Sequence, residues 1–299
     1  MRTLLFSGGF LVTAVLAFFP NAPAIQGTAQ TAAVNDGYGD FVLVPAGPFT
    51  MGDNFGDGEP RERPVHVVQL DSFYIGKLEV TNAEWCRFRD DPGYEDPKYW
   101  PDGRPVPKDQ IPYWTQAQNH GGGTADSGGY PVIGVNWDSA TAYCKWLSAK
   151  TGHRYRLPTE AEWEKAARGT KQTRYPWGNE IGRERANYVG AQKYDTVQIA
   201  GFYDGTRRGT LQTQSNASPY GALDMAGNVM EWCRDWYGRT YYSESPRRNP
   251  QGPASGAYRV VRGGSFFLEA PELHSYARSA AWPSFQAHRM IGFRAVREP

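Results

Sequence analysis

Glycine and proline interrupt this chain so often that neither long helices nor long strands have room to form. The 299 residues hold 34 Gly and 22 Pro, set among 10 Trp and 18 Tyr. That balance suits a loop-rich domain whose aromatic side chains pin irregular segments to a core, rather than a regular bundle or sandwich. Helices should therefore be few, short and locally capped. Thr81-Asn82-Ala83-Glu84 is a capping box opening a helix through Trp85, Cys86 and Phe88. Asn136 can cap a helix through Ala140, Tyr143, Cys144 and Leu147, and Thr159 with Glu162 forms a second box closed by Gly169. Strands are expected at Phe41–Val44 and Val65–Leu70, with Phe73–Gly76 extending the latter. The segment from Pro92 to Tyr130 is long, rich in Gly and Pro and studded with Tyr and Trp, the mark of a functional loop or surface insertion. No internal repeat or linker divides the chain.

The N-terminus reads as an export signal. Arg2 precedes an apolar run from Leu4 to Phe19, and Ala22-Pro23-Ala24 supplies small residues at a cleavage site, so residues 1–24 are the expected signal peptide. The run is shorter than the roughly 20 residues of a spanning helix, and no membrane span is expected after cleavage. Residues 25–40, small and polar, are expected to form a flexible leader, and residues 41–299 one compact domain in the periplasm. With 32 basic against 31 acidic side chains and no basic stripe, nucleic acid and anionic membranes are not indicated as partners. The three cysteines, Cys86, Cys144 and Cys233, cannot form a disulfide framework.

Several stretches recur in a known order: Val44-Pro45-Ala46-Gly47 to Met51-Gly52, Glu79-Val80-Thr81-Asn82, Pro131 to Trp137, Arg156 to Glu164, and Tyr175-Pro176-Trp177-Gly178. Gly227 to Trp232, Arg262-Gly263-Gly264-Ser265 and Gly292-Phe293-Arg294 complete the set. In these motifs the chain resembles the formylglycine-generating-enzyme (sulfatase-modifying factor) superfamily, from about residue 41 to the end. The resemblance implies an α+β fold with little regular secondary structure. The superfamily includes copper-dependent cysteine oxidases, three-histidine iron sulfoxide synthases, a periplasmic PvdO branch that matures the siderophore pyoverdine, and accessory proteins. Fold therefore does not settle function.

Leu268 and Leu273 stand where that family keeps its catalytic cysteines, and no cysteine follows Cys233. Leucine offers neither a metal lone pair nor a redox sulfur, so copper is not expected. His66, His120, His153, His274 and His288 contain no His-x-x-x-His pair of the iron-dependent kind. The resemblance implies structural calcium instead. Its first site maps onto the side chains of Asp224 and Glu231 and the carbonyls of Gly227 and Val229. A second maps onto Asn187 with the Tyr188 carbonyl and Asp204 with the Thr206 carbonyl. In the region of the missing thiols remain Ser265, Glu269, Glu272, His274, Tyr276 and Arg278. A carboxylate beside leucine and phenylalanine would be desolvated and useful as a general base, Glu269 first and Glu272 second, with Ser265 and Arg278 orienting substrate. The expectation is an exported, cysteine-independent oxidoreductase acting on a small molecule or peptide-derived metabolite. Dioxygen would be its acceptor, since no dinucleotide glycine loop is present. The alternative is a non-catalytic accessory or ligand-binding module that assists a periplasmic partner enzyme. Sulfatase activation comes last, because the thiols are absent.

Overall fold

The computed structural model describes residues 33–108, 127–191, 196–284 and 290–299. The signal peptide, most of the leader, part of the Pro92–Tyr130 insertion, His120 and His288 lie outside the described residues.

Local chemistry builds the helices as the sequence indicates. In α1 (Asn82–Arg89) the Thr81 hydroxyl accepts from the Glu84 N–H at 3.3 Å, and Glu84 accepts from the Thr81 N–H at 2.7 Å. Asn136 caps α2 (Trp137–Thr151) through the Ser139 N–H, and Gly152 ends it at φ 76°. The Thr159–Glu162 box opens α3 (Glu160–Arg168), and Gly169 closes it.

The strands are short and mostly antiparallel. One sheet has the order β1 (Ala33–Asn35), β2 (Asp40–Val44), β5 (Phe73–Gly76), β13 (Val296–Arg297), β6 (Tyr155–Arg156). The strand Ala33–Asn35 thus falls inside the expected flexible leader. The Asn35 side chain donates to Asp40 at 2.6 Å and accepts from the Gly37 N–H, closing a tight turn between β1 and β2. β3 (Gly47–Met51) pairs with β4 (His66–Leu70) in a two-stranded sheet. Phe73–Gly76 does not continue β4 as expected but joins the first sheet. The break falls at Asp71, whose carboxylate is held by Arg248 and Asn249. β7 (Arg207–Arg208) and β8 (Leu211–Gln212) form a small hairpin. The fourth sheet runs β11 (Ser279–Ala281), β10 (Arg259–Arg262), β9 (Met230–Trp236), β12 (Ile291–Gly292), and its β9–β12 pair is parallel.

One core is largely aromatic, with Trp85, Phe88, Tyr143, Trp146 and Phe293 meeting edge-on, tilted or stacked. A second gathers the alanines and Trp163 of α3 against Val44, Phe49, Val68, Ile75 and Val260. Every residue of α3 is buried, its charged ones included. Each charge consequently needs a partner. Glu160 takes Arg278, Glu164 takes Arg262 and Arg168, Glu162 takes Arg156, and Lys165 donates to the carbonyls of Pro45 and Gly47. The helix is a buried charged spine that ties the C-terminal segment to the N-terminal strands. Cys86, Cys144 and Cys233 are free thiols.

Candidate functional site

The segment leaving β10 turns at Gly263 (φ 95°) and Gly264 (φ 68°). A Cβ at position 264 would lie 2.6 Å from a Leu273 methyl and 2.8 Å from the Glu272 carbonyl, so glycine permits the chain to fold back on itself. Leu273 then becomes completely buried, packed with Tyr175, Ala186, Tyr188 and Ala226, while Leu268 lies partly buried at the edge. Where the family would place two thiols, this chain has an apolar plug.

The remaining sequence-predicted residues do not converge. Glu269 and Glu272 are exposed, on either side of a 3-10 turn at Ala270–Leu273, and Phe267 beside them is 67% exposed. The desolvated carboxylate expected from the sequence is therefore not found at either position, because Leu273 rather than a glutamate turns inward. Ser265 is buried, and its hydroxyl accepts from the Phe267 N–H at 3.3 Å. Arg278 is buried and gripped by both oxygens of Glu160 at 2.6 and 2.8 Å, so its charge is spent inside the protein.

His274 is one titratable group that this segment does bury. Its ring lies 5.2 Å from that of Tyr175 and 4.9 Å from that of Tyr276. Burial pushes its pKa below the usual imidazole value, against the opposing pull of Asp57. The Tyr276 hydroxyl donates to Asp57 at 2.6 Å, and Arg174 grips the other Asp57 oxygen at 2.7 Å. Partial burial works against the Asp57 carboxylate, yet these two hydrogen bonds hold its pKa below the usual range. Burial and Asp57 together push the Tyr276 phenol well up. Arg174 also lies over Phe55 at 4.0 Å, and Tyr175 stacks on Trp177 at 5.5 Å. The result is an aromatic-walled site with a neutral imidazole and an ionised Asp–Arg pair. Sequence reasoning named His274 and Tyr276 but missed Asp57 and Arg174. Asp57 comes from a loop of Gly, Pro and charges with no local signature, and Arg174 directly precedes the Tyr175-Pro176-Trp177 motif.

The residues mapped onto calcium fall into two environments. Asp224 and Glu231 are buried. Asp224 accepts from the Gly201 N–H and Asn216, and Glu231 from Trp163 and, twice, Arg294. Glu79 is buried nearby. Asn228 donates to one of its oxygens, and the other has no hydrogen-bond partner among the described residues. Three buried carboxylates thus share one guanidinium. Burial, reinforced by Asp224, pushes Glu79 well up, and burial also raises Asp224. This uncompensated negative charge, with lone pairs left on Asp224 and Glu231, fits a hard cation there. Among the described residues no three His, Cys, Asp or Glu side chains form a metal-holding group, so carbonyls such as those of Gly227 and Val229 would complete the shell. The second set is less unified. Asp204 caps Thr206 and pairs with Arg208, whereas Asn187 binds the Thr196 carbonyl and its own carbonyl takes the Asn228 N–H.

Comparison with known proteins agrees with this architecture. Residues 26–299 match the sulfatase-modifying factor enzyme 1-like domain. The chain is 35% identical to the formylglycine-generating enzyme of Streptomyces coelicolor over 95% of its own length and 96% of the relative. It is 36% identical to hercynine oxygenase of Mycolicibacterium smegmatis over 76% of its length, spanning 54% of that protein. The solved structure of PvdO from Pseudomonas aeruginosa superposes with a TM-score of 0.69 at 26% identity, covering 90% of this chain and 98% of that one. The chain therefore belongs to the formylglycine-generating-enzyme-like, or sulfatase-modifying factor, family.

Proposed function

We propose that this protein is an exported, cysteine-independent oxidoreductase that removes two electrons and two protons from a small or peptide-derived metabolite in the periplasm, as in a PvdO-type maturation of a siderophore precursor. Dioxygen accepts both electrons and both protons and leaves as hydrogen peroxide, so the reaction balances without a thiol. The observation that carries this reading is His274, a desolvated imidazole among aromatic walls, directly following the leucine that occupies a thiol position. A lowered pKa keeps the ring neutral and able to accept a substrate proton at neutral pH. Tyr175, Trp177 and Phe55 favour a flat, unsaturated substrate, and the Asp57–Arg174 pair fixes a polar edge of it. Glu269 and Glu272, exposed beside the site, contact the substrate's outer portion instead of acting as buried bases. Calcium at Asp224, Gly227, Val229 and Glu231 would have a structural part, neutralising buried carboxylates beneath the site.

The test is mass spectrometry of periplasmic and secreted metabolites from a deletion strain complemented with wild type or His274→Gln. Accumulation of a species two hydrogens heavier than the normal product, cleared by wild type but not by a folded His274→Gln protein, is the expected result. An unchanged metabolite profile, together with an immature partner enzyme, would overturn it in favour of an accessory role.

A further inference from the structure

A cavity sharing no named residue with the His274 site opens beside the edge strand β11. Its volume is about 390 Å³, and Arg61, Tyr237, Tyr258, Arg278, Ser279 and Ala280 line it. This is the size of a small-ligand pocket. We propose that it binds a planar aromatic carboxylate.

Charge comes first. Of the two guanidiniums in the wall, Arg278 is neutralised by Glu160, and its remaining donors go to the carbonyls of Arg61 and Gly238. Among the described residues no carboxylate is hydrogen-bonded to Arg61, whose charge acts on Glu62 only at a distance. Arg61 lies on the 3-10 turn Pro60–Glu62, half-buried, and its Nε is buried with no hydrogen-bond acceptor among the described residues. The neighbouring carboxylate, Glu62, spends its oxygens on the backbone N–H groups of Arg278 and Glu59. The Arg61 guanidinium is thus left without a fixed counter-charge, which an anion entering the cavity would supply. The planar guanidinium fork fits a carboxylate.

The remaining walls select the rest of the ligand. Tyr237 faces the Arg278 guanidinium, and Tyr258 packs on Trp282 with ring centres 4.4 Å apart. Tyr258 and Trp282 are 37% and 52% exposed, two large aromatic surfaces left uncovered at one place. Ser279 and Ala280 are too small to fill the space that β11 borders. Flat aromatic walls recognise a ring, and the Arg61 guanidinium selects a carboxylate on it and repels a cation.

The experiment titrates the purified mature protein with benzoate, acetate and benzylammonium, reading heat and tryptophan fluorescence. Arg61→Gln and Tyr258→Ala are compared after thermal melts confirm that both fold. Saturable one-to-one benzoate binding is expected, weakened about tenfold or more by Arg61→Gln, the scale of one charge-assisted hydrogen bond. Tyr258→Ala should weaken it several-fold, and benzylammonium should not bind. Failure of folded wild-type protein to bind benzoate, equal affinity in Arg61→Gln, or acetate binding as tightly as benzoate would each overturn the assignment.

Discussion

Replacing Arg294 with methionine isolates one of the strongest supports of the fold. The Arg294 guanidinium is fully buried and holds Glu231 through two hydrogen bonds of 2.6 and 2.7 Å. It also donates to the carbonyls of Gly76 at 2.9 Å and Leu223 at 3.0 Å, joining the first sheet to the Asp224 loop. Methionine keeps much of the volume and removes all of these donors. Glu231 would be left beside Asp224 and Glu79 with only the Trp163 N–H, its guanidinium partner gone. Breaking a buried pair from one side costs about 3–5 kcal/mol. For a domain of this size that corresponds to a fall in Tm of roughly 10 °C. Urea denaturation followed by tryptophan fluorescence measures it, and Glu231→Gln closes a double-mutant cycle, since glutamine still accepts from Trp163. A coupling of about 2 kcal/mol or more is expected for a pair in direct contact. A loss below about 1 kcal/mol in Arg294→Met, or a coupling near zero, would refute the claim that this pair holds the two parts together.

Further outcomes follow from the same structure. Asp235, buried against Glu160, has its pKa pushed up by burial to about 8 from 3.8. The folded state then binds this proton more tightly than the unfolded one, and the Asp235 contribution to stability declines as pH rises from about 4 to about 8. Asp235→Asn should flatten that part of a stability–pH curve, and a curve parallel to wild type would contradict the assignment. Leu273→Ala should cost about 2–5 kcal/mol, because the fully buried plug packs against Gly264 and Tyr175; a loss under about 1 kcal/mol in a denaturant melt would count against a rigid plug. Millimolar calcium should raise the melting temperature and a chelator reverse it, with Asp224→Asn abolishing the response; a calcium-independent melt in wild type would remove the proposed ion. The acid limb of turnover should fall at a pH below the ordinary histidine value and vanish in His274→Gln, as a steady-state pH profile would show.

Legibility in the sequence followed the range of the interactions. Both capping boxes formed as expected because each is closed within four residues, by Thr81 with Glu84 and Thr159 with Glu162. The β1 ladder was missed because small, polar residues carry no strand signal, although Asn35 and Asp40 supply the turn. Phe73–Gly76 looked like an extension of β4 because apolar alternation does not say which sheet a strand joins. Glu269 and Glu272 drew attention as carboxylates beside apolar neighbours, but proximity along the chain does not establish burial.

The sequence alone indicated a loop-rich α+β member of its family and placed leucine, at 268 and 273, where the resemblance puts thiols. Only the tertiary structure decided that Leu273 and His274 turn inward while the two glutamates remain in water. It alone also brought Asp57 to Tyr276 across 219 positions of chain. Burial and long-range pairing depend on which segments pack over one another, and no local run of residues encodes that.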